Sequence, residues 1–403
     1  MSSNINTPFF QQNRPVTTHH PFGSLNKLLY FCQSIYKHST IMKLGFLLIL
    51  LLPLLGHAYV SWRIWQLLPL PVWAKVCIMV LLFLAFASLF VSFMVAQKFP
   101  ISATAAIYET GTTWIEILLY LVLIFLVLDI LRLCHIVPSS LLHGNWWTIG
   151  TITLLLTGLF IYGNINYHNK VRVPVTLQSN KITKPLKVVM MSDLHLGFHN
   201  RRAEFARWVD LINKENPDMV LIAGDIIDFS AYPLLQENVA DEFKCIKAPV
   251  YACLGNHEYI SGNTQAIKFY TDAGIHLLRD SVSTIGDICI VGRDDRMNRK
   301  RKSLTNILSN VDKSKYLIVL DHQPYHLEEP ATEGVDFQLS GHTHHGQIWP
   351  ISWITEAIYE VAFGPYKKGN TQFYVSSGVG IWGGKYRIGT QSEYIVANIQ
   401  PAK

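Results

Sequence analysis

Charge is scarce in this chain: Asp, Glu, Lys and Arg make up 15% of 403 residues, against 50% hydrophobic residues. The average hides a division, because the apolar excess is gathered into four blocks in the first 165 or so positions. Cysteine is also sparse. Cys245, Cys253 and Cys289 are an odd set without close pair spacing, which argues against a disulfide framework and fits a reducing compartment. Cys32, Cys77 and Cys134 lie before or beside the apolar blocks. No Gly-x4-Gly-Lys-Ser/Thr loop occurs, so a nucleotide-driven motor is not supported. The formal charge of +6 is modest, and neither a recognised motif nor aromatic interleaving speaks for nucleic acid, so no nucleic-acid partner is expected. No small-x-small cleavage pattern follows the first apolar block, and three more blocks come after it, which excludes a simple signal peptide.

What is present are five short clusters of Asp, His and Asn: Asp193-Leu-His195, Gly224-Asp225-Ile-Ile-Asp228, Gly255-Asn256-His257-Glu258, Asp321-His322 and Gly341-His342-Thr343-His344. Carboxylate oxygen and neutral imidazole nitrogen suit hard and borderline divalent ions. Two such ions roughly 3.5–4 Å apart can hold a phosphoryl group between them. Apolar runs precede these clusters, such as Lys187-Val-Val-Met-Met, Met219-Val-Leu-Ile-Ala and Tyr316-Leu-Ile-Val-Leu. The ligands are therefore expected on loops at strand ends. Any one cluster alone reads equally as a turn or a chance pairing; five in this order do not.

In that order the motifs resemble the calcineurin-like metallophosphoesterase superfamily. Gly341-His-Thr-His-His-Gly-Gln-Ile-Trp-Pro350 resembles its branch of membrane-associated bacterial phosphodiesterases, with similarity over about 171–400. The resemblance implies two divalent ions, drawn from Mn, Fe, Zn or Mg. Asp193, His195 and His344 would hold the first, Asn256, His322 and His342 the second, and Asp225 would bridge them. His257 would act on the phosphoryl oxygens and protonate the leaving alkoxide, with Asp228 fixing an imidazole tautomer from behind. The implied reaction is in-line attack of metal-bound hydroxide on a phosphate ester or pyrophosphate. Similar branch members cleave UDP-diacylglucosamine or act as general phosphodiesterases. The chain departs from the branch's usual Gly-His-Thr-His-Gly-Gly-Gln at His345, where glycine reaches backbone angles that histidine reaches less easily, though a left-handed histidine is tolerable; His345 is expected as a rim residue and not as a third metal ligand.

Gly378-Val-Gly380-Ile-Trp-Gly383 satisfies a dinucleotide fingerprint, but Lys385-Tyr-Arg-Ile-Gly follows where a helix should open. It reads as a glycine-rich loop lining the site. Arg293, Arg296, Arg299, Lys300, Arg301 and Lys302 form a basic run, either a contact for anionic headgroups or phosphorylated substrate, or a solvated loop.

The four apolar blocks, about 42–62, 72–97, 112–133 and 146–163, are each near the roughly 20 residues of a membrane-spanning helix. Trp62, Trp65, Trp73, Trp114, Trp146 and Trp147 near their ends read as an aromatic belt. Glu116 and Asp129 in the third block are expected near the interfaces. Lys and Arg in the flanks divide seven (Arg14, Lys27, Lys37, Lys43, Lys98, Lys170, Arg172) against three (Arg63, Lys75, Arg132). That bias favours a cytoplasmic catalytic domain on a bacterial inner membrane.

The expected architecture is a polar tail over 1–41, four transmembrane helices over 42–163, a linker at 164–170 and an α/β metallophosphoesterase domain over 171–400. Met42-Lys43 directly before the first block also fits a start there. Strands are expected at 187–192, 219–223, 249–254, 288–292, 316–320, 336–340, 373–376 and 393–399, and helices near 202–215, 233–246 and 263–273. The resemblance implies two packed sheets flanked by helices. The function expected is a membrane-anchored, two-metal phosphoesterase acting on an amphipathic or lipid-linked substrate; the alternative is a catalytically silent sensor or scaffold of the same fold. A transporter would require paired polar groups within the spans, and the sequence shows no obvious ones.

Overall fold

The computed structural model describes residues 40–95 and 98–402, with side chains from Leu51 onward. The tail expected over 1–41 lies outside the described residues except for Thr40 and Ile41. Four long helices come first: α1 (Thr40–Leu67), α2 (Val72–Val95), α3 (Ile101–Leu133) and α4 (Trp146–His168). Among the described residues three of them, α2, α3 and α4, are long and apolar enough to cross a membrane. The expected fourth span falls on α1, whose first residues have no described side chains, so the three are a count among the described residues alone.

Helix α3 begins at Ile101, well before the apolar block at 112–133, because Ser102, Thr104, Glu109 and Gly111 dilute its pattern without breaking it. Gly111 lies so close to the backbone of Leu89 that a Cβ there would collide with α2. Val60, Phe86, Trp114, Leu118, Leu121, Phe125 and Ile152 close the bundle's core. Trp114 is thus an interior residue and not part of a belt. Asp129 is paired with Arg63 and accepts a 2.5 Å hydrogen bond from Tyr59 Oη. A polar pair therefore does exist within the helices, one turn from their far ends. Glu116, expected near an interface, is buried mid-helix against the α/β domain.

Helix α4 runs through most of the expected linker, leaving Asn169 before strand β1 (Lys170–Ser179). The strands that follow are β2 (Leu186–Met191), β3 (Met219–Ala223), β4 (Val250–Cys253), β5 (His276–Leu277), β6 (Ser281–Ile285), β7 (Ile288–Gly292), β8 (Tyr316–Leu320), β9 (Phe337–Ser340), β10 (Gly364–Lys368), β11 (Thr371–Val375) and β12 (Ser392–Pro401). They form two mixed six-stranded sheets, ordered β1-β12-β2-β3-β4-β5 and β10-β11-β9-β8-β7-β6. Strands β2 to β5 are mutually parallel, as are β7, β8, β9 and β11.

The central strands are apolar on both faces because both faces are covered. Val188, Met190, Leu221, Ile290, Ile318, Leu320 and Leu339 fill the layer between the sheets. Val189, Met191, Val220 and Ile222 point the other way, against helices α5 (Arg202–Glu215) and α6 (Asn263–Asp272). The helix expected over 233–246 is broken into Tyr232–Gln236 and Val239–Phe243, with Asn238 left-handed between them. A further helix, α7 (Ile351–Ile358), lies beyond the last His cluster.

Candidate metal centre

Each cluster follows the carboxyl end of a central strand: Asp193 after β2, Asp225 after β3, Asn256 after β4, His322 after β8, and His342 and His344 after β9. The two sheets thus deliver their chemistry to one edge of the sandwich. The turns there are tight. Asp193, His195, Asp225, His342 and His344 all have φ between +45° and +71°, backbone that costs non-glycine residues energy and recurs at functional sites. Gly224, at φ +77°, has no room for a Cβ: Gly255 N would be 2.8 Å away and the His322 ring 2.9 Å.

Among the described residues the side chains meet in three groups, the first and last sharing His195: Asp193, His195 and His344; Asp225, His322 and His342; and His195, Asp228 and His257. In the first, His344 Nε2 lies 3.0 Å from His195 Nε2 and 3.3 Å from Asp193 Oδ1. In the second, His322 Nε2 lies 3.1 Å from both Asp225 Oδ2 and Asn256 Oδ1, and the same Asn256 oxygen is 2.8 Å from His342 Nδ1. Asp225 Oδ2 is also 3.6 Å from His195 Nε2, so this one carboxylate touches both groups. Every expected ligand is therefore in the cluster. Asp228 sits behind it, with Oδ1 3.4 Å from His195 Nδ1 and 3.5 Å from His257 Nδ1.

His322 shows how the donors are arranged. Its Nδ1 donates to Ala223 O at 2.8 Å, so in the neutral ring Nε2 is a lone pair facing two oxygens. Acceptors crowded in this way are satisfied by a proton on Nε2 or by a metal cation between them. The charge balance agrees. Burial alone would raise Asp193, Asp225 and Asp228, but the surrounding imidazoles outweigh it and hold all three below the usual carboxylate range. Burial would lower His195, yet Asp193 and Asp228 push it up to about 10, and Asp225 likewise raises His322. His342 falls to about 4 through burial and its neighbour His322, and His344 is lowered by burial. The pocket rewards positive charge and distributes it unevenly among its histidines; the residues fit divalent ions.

Asn256, His257 and His342 are only half-buried, whereas Asp193, His195, Asp225 and His322 are inaccessible, so the centre opens on the former side. At that opening the His342 ring lies 6.2 Å from Tyr359, Tyr359 lies 4.9 Å from Tyr325, and Arg296 stands 4.7 Å over the Tyr325 ring. The basic run divides. Arg293 and Arg301 turn inward onto Asp321 at 3.1 and 2.8 Å, while Arg296, Arg299, Lys300 and Lys302 are exposed. Asp321 is occupied by these arginines and stays out of the metal groups. His345 is left-handed (φ 49°, ψ 38°), stacks on Phe363 at 4.6 Å and meets Glu356 at 3.0 Å, which makes it a rim residue.

Several residues have supporting roles that the motifs do not assign. Glu258 accepts from the backbone amides of Asp225, Ile227 and Gly255. Arg387, fully buried, donates to His344 O at 2.7 Å and to Ser377 O and Gly380 O, tying the glycine-rich loop to the histidine loop. That loop lines the site as expected: Gly380 N donates to Asp193 O at 3.0 Å. Most unexpected is a stripe on α3. Tyr108 Oη donates to Asp228 Oδ2 at 3.3 Å, Glu116 accepts from Gln347 Nε2 at 3.2 Å, and Tyr120 Oη donates to Trp349 O at 2.6 Å. With Thr112 beside Gly383, positions 108, 112, 116 and 120 make one helical face. That spacing of four inside an apolar helix is the signal that could have found it.

The sequence profile of the calcineurin-like phosphoesterase family matches residues 186–346. The chain is similar, at 31% identity over 261 residues, to an uncharacterized metallophosphoesterase of Campylobacter jejuni, over 62% of this chain and 69% of that protein. An uncharacterized metallophosphoesterase of Aquifex aeolicus is 30% identical over 239 residues, 56% of this chain and 90% of that protein. A zebrafish (Danio rerio) protein described as a transmembrane protein with metallophosphoesterase domain is 28% identical over 266 residues, 60% of each chain.

Proposed function

Because the chain belongs to the calcineurin-like metallophosphoesterase family, we propose that it is a membrane-anchored, two-metal phosphodiesterase acting on an amphipathic or lipid-linked phosphoester or pyrophosphate. One observation carries this reading: Asp225 Oδ2 lies between the two ligand groups, 3.1 Å from His322 and 3.6 Å from His195. Asp193, His195 and His344 would hold one ion, Asn256, His322 and His342 the other, with Asp225 shared. When bound, the ions supply Lewis acidity and a water acidic enough to attack phosphorus near neutral pH.

The chain's own groups do the rest. His257, half-buried at the opening, is placed to donate a proton to the departing oxygen, and Asp228 orients its ring through Nδ1. Asp228 serves His195 in the same way, and Tyr108 steadies Asp228. Arg296 at the rim offers a charge-assisted contact to a second phosphate or headgroup.

The test is hydrolysis of bis(p-nitrophenyl) phosphate by the full-length protein, stripped with chelator and reloaded with Mn²⁺. Turnover that vanishes and returns with metal supports the reading. Normal metal uptake without turnover supports the alternative, a silent sensor of the same fold.

For orientation the proposal is four spans, with α1 as the first, and the α/β domain in the cytoplasm of a bacterial cell. The seven-to-three Lys and Arg bias supports it. Cys245 is the reporter, being exposed, whereas Cys253 and Cys289 are buried and would escape any reagent. In intact cells a membrane-impermeant thiol reagent should leave Cys245 unlabelled; labelling before lysis would reverse the orientation.

A further inference from the structure

Downstream of Lys170 the exposed large apolar side chains are not scattered evenly. Leu235, Val282 and Met297 stand alone, while Trp349, Trp353, Ile354, Ile358 and Trp382 are grouped around α7. Trp349 and Trp353 are in edge contact at 5.3 Å, and Gln347 joins the group to Trp382 O at 3.0 Å. Trp353 is 62% exposed and Ile358 59%. A contiguous patch of this kind, large and aromatic, marks an interaction surface.

Helix rise fixes its depth. The far end of the bundle carries exposed Trp62, Trp73, Trp146 and Trp147, with Arg132 near the end of α3, residue types that settle at a membrane interface. A hydrocarbon core of about 30 Å takes about 20 helical residues at 1.5 Å each. Counted back from Leu133, the near boundary falls at about Thr113; counted forward from Trp146 on α4, at about Asn166. Tyr120, bonded to Trp349 O, then lies about 10 Å inside the boundary. Phe160 of α4, 4.8 Å from Tyr386 and 5.8 Å from Tyr120, lies about 9 Å inside. Two helices thus put the segment after the last His cluster at hydrocarbon depth. Tyr108, which touches Asp228, lies about 8 Å outside it, at the outer edge of the headgroup layer.

We propose that Trp349, Trp353, Ile354, Ile358 and Trp382 form a ridge that enters the near leaflet of the bilayer and sets the mouth of the metal centre at the level of lipid phosphates. Tyr359, next after Ile358, faces His342 across that mouth. A phosphoester lipid can therefore reach the centre sideways, its chains remaining among those of the leaflet along α7 and its headgroup toward Arg296. The insertion stands on exposure and depth alone; the substrate route rests also on the phosphoesterase reading above.

The experiment uses the full chain in nanodiscs. Lipids brominated near the headgroup end of the acyl chain should quench more tryptophan fluorescence in wild type than in a Trp349→Phe/Trp353→Phe/Trp382→Phe variant. Equal quenched fractions would overturn the ridge. In a second arm, ethyl p-nitrophenyl phosphate and its hexadecyl counterpart present the same leaving group from water and from the bilayer. Trp353→Glu/Ile354→Glu should lower hexadecyl ester turnover on the order of tenfold and leave the ethyl ester within about twofold. Equal effects on both esters would overturn the lateral route. If wild type hydrolyses neither ester, the phosphoesterase reading fails, and the quenching still decides the ridge.

Discussion

Carboxylates held by polar partners stand near both ends of α3, half-buried at the far end and fully buried at the near end, and they are neutralised in opposite ways. At the far end Asp129 is closed by Arg63, with Tyr59 donating to it and Arg132 at 3.7 Å. At the near end, Asp193, Asp225 and Asp228 are met by imidazoles, hydroxyls and backbone amides. A carboxylate with a built-in guanidinium is a staple: its charge is spent inside the fold. Carboxylates whose partners are imidazoles face a charge that can leave as a proton, and so leave room for an exchangeable cation. The difference lies in the partner's chemistry as well as in depth, since Asp129 is only half-buried.

The comparison is tested most severely at Asp225. Asp225→Asn should cost roughly a thousandfold or more in kcat/KM and reduce the bound metal, because it removes the shared charge from both groups. Metal analysis and steady-state kinetics would show it; two ions and wild-type turnover in that variant would erase the distinction between site and staple. Next in size is His257→Ala. It should keep its metal and lose about 10²–10⁴-fold on alkyl leaving groups, with much less loss on nitrophenolate, which departs without a proton. Similar losses on both would remove His257 from the proton's path.

Tyr108→Phe should weaken metal affinity or turnover by roughly tenfold while the thermal midpoint barely moves, as expected for a residue acting through Asp228. Unchanged metal titrations would mean that α3 merely touches the domain. The smallest effect on the centre should come from Asp129→Asn. Metal content and turnover should stay within about twofold, but the helices should lose about 3–5 kcal/mol of stability because Arg63 is left buried without its partner. A fall in metal content there would mean that the two ends of α3 are not independent.

The parts of the fold legible in the sequence are those whose pattern is local. Strands β2, β3, β7 and β8 are unbroken apolar runs buried on both faces, and the structure places them within a residue of expectation. Strands β1, β6 and β10 carry no clear sequence signal because edge strands alternate exposed and half-buried residues; β1 is in addition defined by a distant partner, β12, more than two hundred positions away, whereas β6 and β10 are hairpin partners of β7 and β11. The candidate site shows the same division. Order and spacing of Asp193, His195, Asp225, Asn256, His322, His342 and His344 identify a ligand set without the fold. Tyr108 and Glu116 carry no motif, and Arg387 lies in the Lys385-Tyr-Arg-Ile-Gly segment without a role assigned to it; their partners are far away in sequence or are backbone carbonyls. A carboxylate in an apolar helix reads as an interface residue until the domain that buries it is known.

The central claim is that this cluster of buried carboxylates and imidazoles holds two ions. The most direct test is the metal-to-polypeptide ratio of the full-length protein after loading with Mn²⁺ and removal of free metal, measured by plasma mass spectrometry alongside turnover of bis(p-nitrophenyl) phosphate. The account expects two ions per chain, with turnover falling as chelator removes them. One ion or none at full turnover would contradict it.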